Sequence, residues 1–304
     1  MVQISKVLVV SYSQSGQLNE ISDNFIKGLE NVEIDSIRYS TKHQFPFPWT
    51  SEVFFDAMPE SVMETPLELN EIRYKYSKYD LIIFAYQPWF LSPSIPASSL
   101  LQDQEFLSRV AGTPVITLIG SRNMWINSQE SVKARILNAG GQIIANIPFI
   151  DRAQNHISAI TILHWMLKGK KTKKYNIFPK PGVSEEDILF ASNYGKILNE
   201  AIQANDLTNL QLKFLSQEKI LLPTNIMFIE EKAKRLFKIW TNLIIRFGKS
   251  PVKRKWLLRA FKYYLVIALF VVAPIVCFVY QIFIVPLARK RINKRKQLYL
   301  QQIN

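Results

Sequence analysis

The stretch Lys6–Phe25, KVLVVSYSQSGQLNEISDNF, holds three kinds of residue in succession. Val7-Leu8-Val9-Val10 is an unbroken apolar run, rich in β-branched residues and about as long as a strand buried on both faces. Ser11-Tyr12-Ser13-Gln14-Ser15-Gly16 is a hydroxyl-rich turn. Leu18, Ile21, Phe25 and Ile26 then recur at helical spacing, and the helix that opens at Gln17 should end near Gly28. A buried strand that turns directly into a helix aims the helix's open N–H groups, and the positive end of its dipole, at the space above the sheet edge. Such a terminus binds anions. Ser13 and Ser15 can add hydroxyl donors, and Gly16 lets the backbone close on a phosphate. The bland alternative is a strand–turn–helix connection that holds no ligand.

Outward from this unit the pattern repeats. Val32–Tyr39 alternates like an edge strand, and Asp80–Ala85, Val115–Gly120 and Gln142–Ile147 are further apolar strands. Helices are expected at Pro66–Lys78, with Pro66 in the first turn, at Ser98–Val110 and at Asn127–Asn138. Ser184-Glu185-Glu186-Asp187 caps a last helix to Asn205. Buried strands alternating with helices specify an α/β fold, a doubly wound, five-stranded parallel sheet covered on both faces. Ligands of such sheets bind at the carboxyl ends of the strands. There is no GxGxxG and no GxxxxGK[ST] pattern, so a dinucleotide site of the Rossmann type and a P-loop lack local support.

Two segments interrupt the alternation. Residues 43–64 carry Phe45, Phe47, Trp49, Phe54, Phe55 and Met58 among Pro46, Pro48 and Pro59, which excludes a regular strand. A long aromatic connection of this kind serves either binding or the packing of a sheet edge. Phe149–Gly182 is an insertion with a helix marked by Ile157, Ile160, Leu163, His164 and Leu167. Its basic run Lys168–Lys174 is most simply a solvated face. His156, just past a sheet terminus, is the most plausible titrating group, although a lone histidine is more often structural.

Of the 304 residues, 48% are hydrophobic, ample for a core. The single cysteine, Cys277, rules out a disulfide framework or a cysteine metal cluster within one chain, and the three histidines have no metal-ligand spacing. The sequence gives no expectation of a signal peptide, and a reducing cytoplasm is the expected compartment. The net charge is +14, but from Lys232 onward there are 17 Lys and Arg and no Asp or Glu. The excess basic charge therefore lies in a tail suited to an anionic partner, nucleic acid or lipid.

The tail's pattern selects lipid. Ile226, Ile229, Ala233, Leu236, Phe237, Trp240, Ile244 and Ile245 form an apolar stripe among basic residues, as in an interfacial helix. Tyr263–Ala288 then runs 26 residues without a charge. At 1.5 Å per residue it reaches ~39 Å, enough to cross a ~30 Å hydrocarbon core. Basic clusters lie on both sides of it, so a crossing leaves one on the unfavourable side. Pro274 could instead bend the segment into a re-entrant hairpin. The expected organisation is 1–206 for the sheet domain with its insertion at 149–183, 207–262 for a basic amphipathic linker, 263–288 for the membrane segment and 289–304 for a basic tail.

Ser13-Gln14-Ser15-Gly16-Gln17-Leu18 resembles the phosphate loop of flavodoxin-like proteins, Ser/Thr-x-Thr-Gly-x-Thr, with Leu18 in place of the last hydroxyl. Tyr86-Gln87-Pro88-Trp89-Phe90-Leu91 resembles the loop that borders the flavin ring in that family, with Leu91 in place of a glycine. Ser121-Arg122-Asn123 stands where the family has its third flavin loop. The resemblance implies FMN as cofactor. It would be held by Ser11, Ser13, Gln14, Ser15, Gly16, Gln17 and Leu18, by Gln87, Pro88, Trp89 and Phe90, and by Ser121, Arg122 and Asn123. Arg122 could face the N1/O2 edge of the flavin, where reduction places negative charge.

Taken whole, YSQSGQL, FPFPWTSEVFFDAMPESV, IGSRNMW and the basic apolar C-terminus resemble the bacterial dialkylresorcinol condensing enzyme (DarA-type) family of flexirubin and aryl polyene-type pigment pathways. In that family a partner ketosynthase joins two acyl chains into a cyclohexanedione, and the DarA-type protein is assigned its oxidation to the resorcinol. A thiolase-like condensation needs a nucleophilic thiolate beside histidines, and Cys277 is in the membrane segment. The resemblance thus implies a flavin-dependent aromatase anchored at the cytoplasmic face of the inner membrane, with a lipophilic substrate. His156, Tyr86 and Arg122 are the candidates for catalysis, and Phe47, Trp49, Phe54, Phe55 and Trp125 for substrate contact. The rivals are an NAD(P)H-dependent FMN quinone reductase and a non-catalytic membrane-bound module.

Overall fold

Val7 to Val10 lie at the heart of a five-stranded parallel sheet, in a computed structural model that describes residues 4–173 and 177–301. The strands and first helices are β1 (Lys6–Ser11), α1 (Gln17–Ile26), β2 (Glu33–Arg38), α2 (Ser51–Asp56), α3 (Met58–Met63) and β3 (Leu81–Tyr86). β4 (Pro88–Trp89) and β5 (Ser92–Pro93) form a two-residue hairpin apart from the sheet. Then follow α4 (Ile95–Leu100), α5 (Gln104–Val110), β6 (Pro114–Ser121), α6 (Ile126–Asn138), β7 (Gln142–Ile150), α7 (Asn155–Lys168) and α8 (Glu185–Gln203). The sheet order is β2-β1-β3-β6-β7. With the small hairpin set aside this is 2-1-3-4-5, the flavodoxin-like doubly wound order, with its switch point between β1 and β3. Every residue of β3 is buried, so helices cover both faces and the strand needs no polar alternation.

α1 and α8 approach so closely that only glycine fits between them. A Cβ on Gly195 would lie 2.0 Å from the Phe25 carbonyl oxygen, and one on Gly28 2.3 Å from that of Ser192. This contact fixes α1, and with it the turn that carries Ser13–Gly16.

Three element expectations need correction. Pro66–Lys78 is not a helix: Lys42 N–H donates to Glu68 O at 2.8 Å and Asn70 N–H to Ser40 O at 2.9 Å, so the segment runs beside the end of β2. Its apolar positions Ile72, Tyr74 and Tyr76 recur at period two, which suits extended chain, and all three pack against the core. Ser98–Val110 is broken into α4 and α5, because Asp103 caps a fresh start by accepting from Phe106 N–H at 2.8 Å. β7 extends to Ile150, three residues past the expected Ile147, so the insertion begins later. Lys174, the end of the basic run, and residues 302–304 of the basic tail lie outside the described residues.

Beyond α8 come α9 (Leu210–Leu215), α10 (Thr224–Phe247) and one C-terminal helix, Pro251–Gln301. The most apolar part of that last helix has a mean hydropathy of 2.6, and only 6% of it is buried. It is long and apolar enough to cross a membrane. Pro274 does not break it. The turn Ala268–Val272 just before the proline is π-helical, with Ala273 N–H bonded to Ala268 O, and this widened register makes room for the ring.

Candidate functional site

The turn after β1 keeps its donors open. Gly16 is the N-cap of α1 at φ +86°, with no side-chain cap, and a Cβ there would meet nothing within 4 Å. Leu18 N–H is taken by Ser13 Oγ at 3.1 Å. Among the described hydrogen bonds the N–H groups of Ser15, Gly16 and Gln17 find no protein acceptor. A helix terminus with unspent donors and a glycine facing open space fits a phosphate, as FMN would present. Ser11 is turned away, its hydroxyl bonded to Asn19 Oδ1 at 3.2 Å.

Gln14 and Gln17 fasten the turn to its neighbours. Gln14 N–H donates to Gln87 Oε1 at 3.2 Å, and Gln14 Nε2 donates to the carbonyls of Phe45 and Pro46 at 3.1 and 2.8 Å. Gln17 Nε2 donates to Val183 O at 3.0 Å, and Val183 N–H returns to Gln17 Oε1 at 2.9 Å. The first loop, the second loop, the aromatic segment and the insertion are thereby tied at one place.

The second loop is a two-residue hairpin. Phe90 and Leu91 sit at φ +48° and +62°, the two left-handed positions of a type I′ turn between Trp89 and Ser92. Leu91 thus holds a left-handed backbone that favours glycine, at a cost of about 1–2 kcal/mol. Lys234, on α10, holds the strained turn by donating to Leu91 O at 2.9 Å and Ser92 Oγ at 2.8 Å. The Trp89 ring stands edge-on to Tyr12, Phe45 and Trp49, with centroids 6.2, 5.0 and 5.1 Å away. Trp49 and Phe54 extend the same aromatic wall.

These loops open into one cavity of about 940 Å³, near the upper end of the ~300–1,000 Å³ range of ligand pockets. Ser15, Gln17 and Leu18 line it from the first loop, Gln87 to Leu91 from the second, and Gly120, Ser121 and Arg122 from the third. Its remaining walls are mostly apolar, with His164, Lys168 and Lys232 among them: Phe54 and Phe55, the Ala159–Lys168 face of α7, Ile229 to Phe237 of α10, and Leu265 to Val276 of the C-terminal helix. Arg122 Nη1 donates to Asn155 O at 2.9 Å and to Asn155 Oδ1 at 2.8 Å, and Asn123 Nδ2 shares that acceptor at 2.8 Å. Desolvation lowers the Arg122 pKa to about 10, which leaves it cationic at neutral pH. Ser121, in the cavity wall, has its Oγ buried without a partner, so this loop still has a polar atom to offer. The donors, the flat aromatic wall and the volume together fit FMN.

Several expected site residues lie elsewhere. Tyr86 is fully buried, stacked on Phe84 at 5.2 Å and bonded to Gln129 Oε1 at 2.9 Å, and burial pushes its pKa up. It is core, because the last residue of β3 points inward. Trp125 is likewise 0% exposed, packed beneath the start of α6, so it cannot touch a substrate. Phe47 packs on Trp165 at 6.2 Å and Asn123 is buried, and neither lines the cavity. His156 also stays outside the cavity: its Nε2 lies 3.2 Å from Leu269 O. In the π register Leu269 O would pair with the N–H of residue 274, which proline lacks, so the histidine supplies the missing donor. Ser11, Ser13, Gln14 and Gly16 shape the turn without lining the cavity.

Sequence reasoning missed Glu230 and Lys234. Glu230 is 0% exposed and caps α6, accepting from Asn127 N–H through Oε1 at 2.8 Å, while its own carbonyl accepts from Asn127 Nδ2 at 2.8 Å. Burial raises its pKa from 4.5 to about 8. Through these two residues α10 grips both the second and third loops. The available signal was position: Glu230 and Glu231 are the last acids before a tail that has none. Among the described residues no group of three or more His, Cys, Asp or Glu could hold a metal ion.

No protein-family model matches the chain, and no curated protein matches it. Among solved structures, a flavoprotein of Lactobacillus acidophilus in complex with FMN is 16% identical, over 48% of this chain and 93% of its own, at a TM-score of 0.39. A flavodoxin from the domain Archaea is 12% identical over 65% of this chain and 99% of its own, with a TM-score of 0.36. A flavone reductase is 12% identical over 65% of this chain and 63% of its own, with a TM-score of 0.33. The strand order of the sheet makes the fold of this chain flavodoxin-like.

Proposed function

We propose that the chain binds FMN and oxidises a 2,5-dialkylcyclohexane-1,3-dione to a dialkylresorcinol at a membrane surface, on a substrate made by a partner ketosynthase. The carrying observation is the shape of the cavity: one space joins the open helix terminus of α1 to mostly apolar walls of aliphatic and aromatic side chains from α7, α10 and the C-terminal helix. A soluble polar substrate has no use for such walls, whereas alkyl chains are stabilised by them at about 0.8 kcal/mol per buried CH₂. When bound, FMN supplies the two-electron acceptor that aromatisation requires. The α1 terminus holds its phosphate, and Trp89 offers a flat face for its ring. Arg122 is the one expected catalytic residue that reaches the cavity, and as a fixed cation it polarises a dione oxygen or balances negative charge. Phe54, Phe55 and the apolar helices hold the chains and exclude water. The basic tail sets the site against anionic lipid on the cytoplasmic face of the inner membrane.

The test is spectroscopic. Purified protein is expected to show flavin absorbance. An alkyl cyclohexanedione should bleach it without NAD(P)H and emerge two hydrogens lighter. Bleaching by NAD(P)H alone would replace the aromatase with a quinone reductase. A preparation that takes up no FMN would remove the redox reading altogether.

A further inference from the structure

The C-terminal helix has the length to cross a bilayer, yet the folded domain grips it at its start, middle and end. Near the start, Arg254 pairs with Asp56 at 2.6 Å and Glu60 at 2.8 Å, and Phe261 is fully buried beside Phe237. At the middle, His156 holds Leu269 O at 3.2 Å, and Tyr280 stacks on Phe228 with centroids 4.2 Å apart. Near the end, Arg295 pairs with Glu231 at 2.8 Å, Gln211 Nε2 donates to Leu300 O at 2.7 Å, and Ile292 and Leu300 are buried in the core of the sheet domain. Phe228, Glu231 and Phe237 lie within about three turns of α10.

A helix that crosses a bilayer has its two ends on opposite sides of a ~30 Å hydrocarbon slab. One folded domain cannot then hold both Arg254 and Arg295. The charges agree with the contacts. Seven Lys and Arg between Arg246 and Lys262, and six between Arg289 and Lys296, favour the same side of the membrane. Between these basic ends the outward face is bare hydrocarbon: Phe278 is 65% exposed, Phe283 62% and Leu287 90%. An apolar strip of this size, rimmed by cations, matches the acyl boundary and the anionic headgroups of a single leaflet.

We propose that the C-terminal helix lies in the plane of one anionic leaflet, outward face down, and does not cross it. The domain and both basic ends stay on the same side. This arrangement rests on the membrane attachment proposed above, and the experiment separates the two.

In a Cys277→Ala background, Lys249→Cys and Gln297→Cys place single thiols at exposed positions before and after the apolar span. Each is treated with a membrane-impermeant maleimide in spheroplasts and in inverted membrane vesicles. Both thiols are expected to react in inverted vesicles and to stay unlabelled in spheroplasts until detergent is added. Reaction of one thiol from each side would overturn the in-plane arrangement while leaving attachment intact. Recovery of the protein entirely in the soluble fraction would overturn attachment and the arrangement with it. A second variant, Glu231→Cys with Arg295→Cys in the same background, is treated with a short bismaleimide. An intramolecular bridge should form in membranes as it does in detergent. A bridge in detergent but none in membranes would show that the end of the helix leaves the domain on insertion, and would refute the proposal.

Discussion

Replacing Glu230 with glutamine removes a buried carboxyl group while keeping an acceptor for Asn127 N–H. The wild-type group has a folded-state pKa of about 8 against 4.5 for an ordinary glutamate. Between those two values the folded protein holds a proton that the unfolded chain has lost. Stability therefore falls as pH rises through this window, and the loss is complete above about pH 8. At 1.36 kcal/mol per pH unit the full effect amounts to about 5 kcal/mol. Glutamine does not titrate, so Glu230→Gln should match the wild type near pH 5 and exceed it at pH 9. For a chain of this size the gap corresponds to roughly 10 °C in Tm. Thermal unfolding of both proteins in detergent, at pH 5, 7 and 9, measures it. Two curves that stay parallel from pH 5 to 9 would refute the reasoning, because Glu230 would then be ionised in the folded state throughout.

Gly16→Ala should lower the fraction of protein that retains FMN, read as the ratio of flavin to protein absorbance. Its stability cost should be small, about 1–2 kcal/mol, since only the left-handed backbone and no neighbour opposes the methyl group. Phe261→Ala should destabilise by about 3–5 kcal/mol in urea unfolding, because the ring is fully buried where α10 meets the C-terminal helix. His156→Ala should leave Leu269 O unpaired, at about 1–3 kcal/mol. It should also speed hydrogen exchange around residues 268–272 while leaving flavin content unchanged, an outcome that a catalytic histidine would not give.

How much the sequence told depended on the reach of each signal. β1 and β3 were legible because burial on both faces writes itself as a continuous apolar run, and the α1 turn because the strand, the turn and the helix that frame it are consecutive in the chain. Pro66 misled, since a proline that can open a helix outweighed the period-two spacing of Ile72, Tyr74 and Tyr76. Tyr86 and Trp125 were placed in the right loops but assigned the wrong direction, because a loop's sequence does not say which side chains face the core. His156 and Glu230 depend on partners 113 and 103 residues away. No window of sequence contains such a pair. The tail's composition announced a long apolar helix between basic flanks, while its relation to the domain lay in contacts that only folding creates.

The paired hydrogen bonds between Gln17 and Val183 couple two distant parts of the chain. Beside them a Cβ on Gly182 would come within 2.6 Å of Gln17 Oε1, so no larger residue fits there. The first turn of α1 and the end of the insertion are thereby bound to shift as one, and any displacement of either is passed to the other.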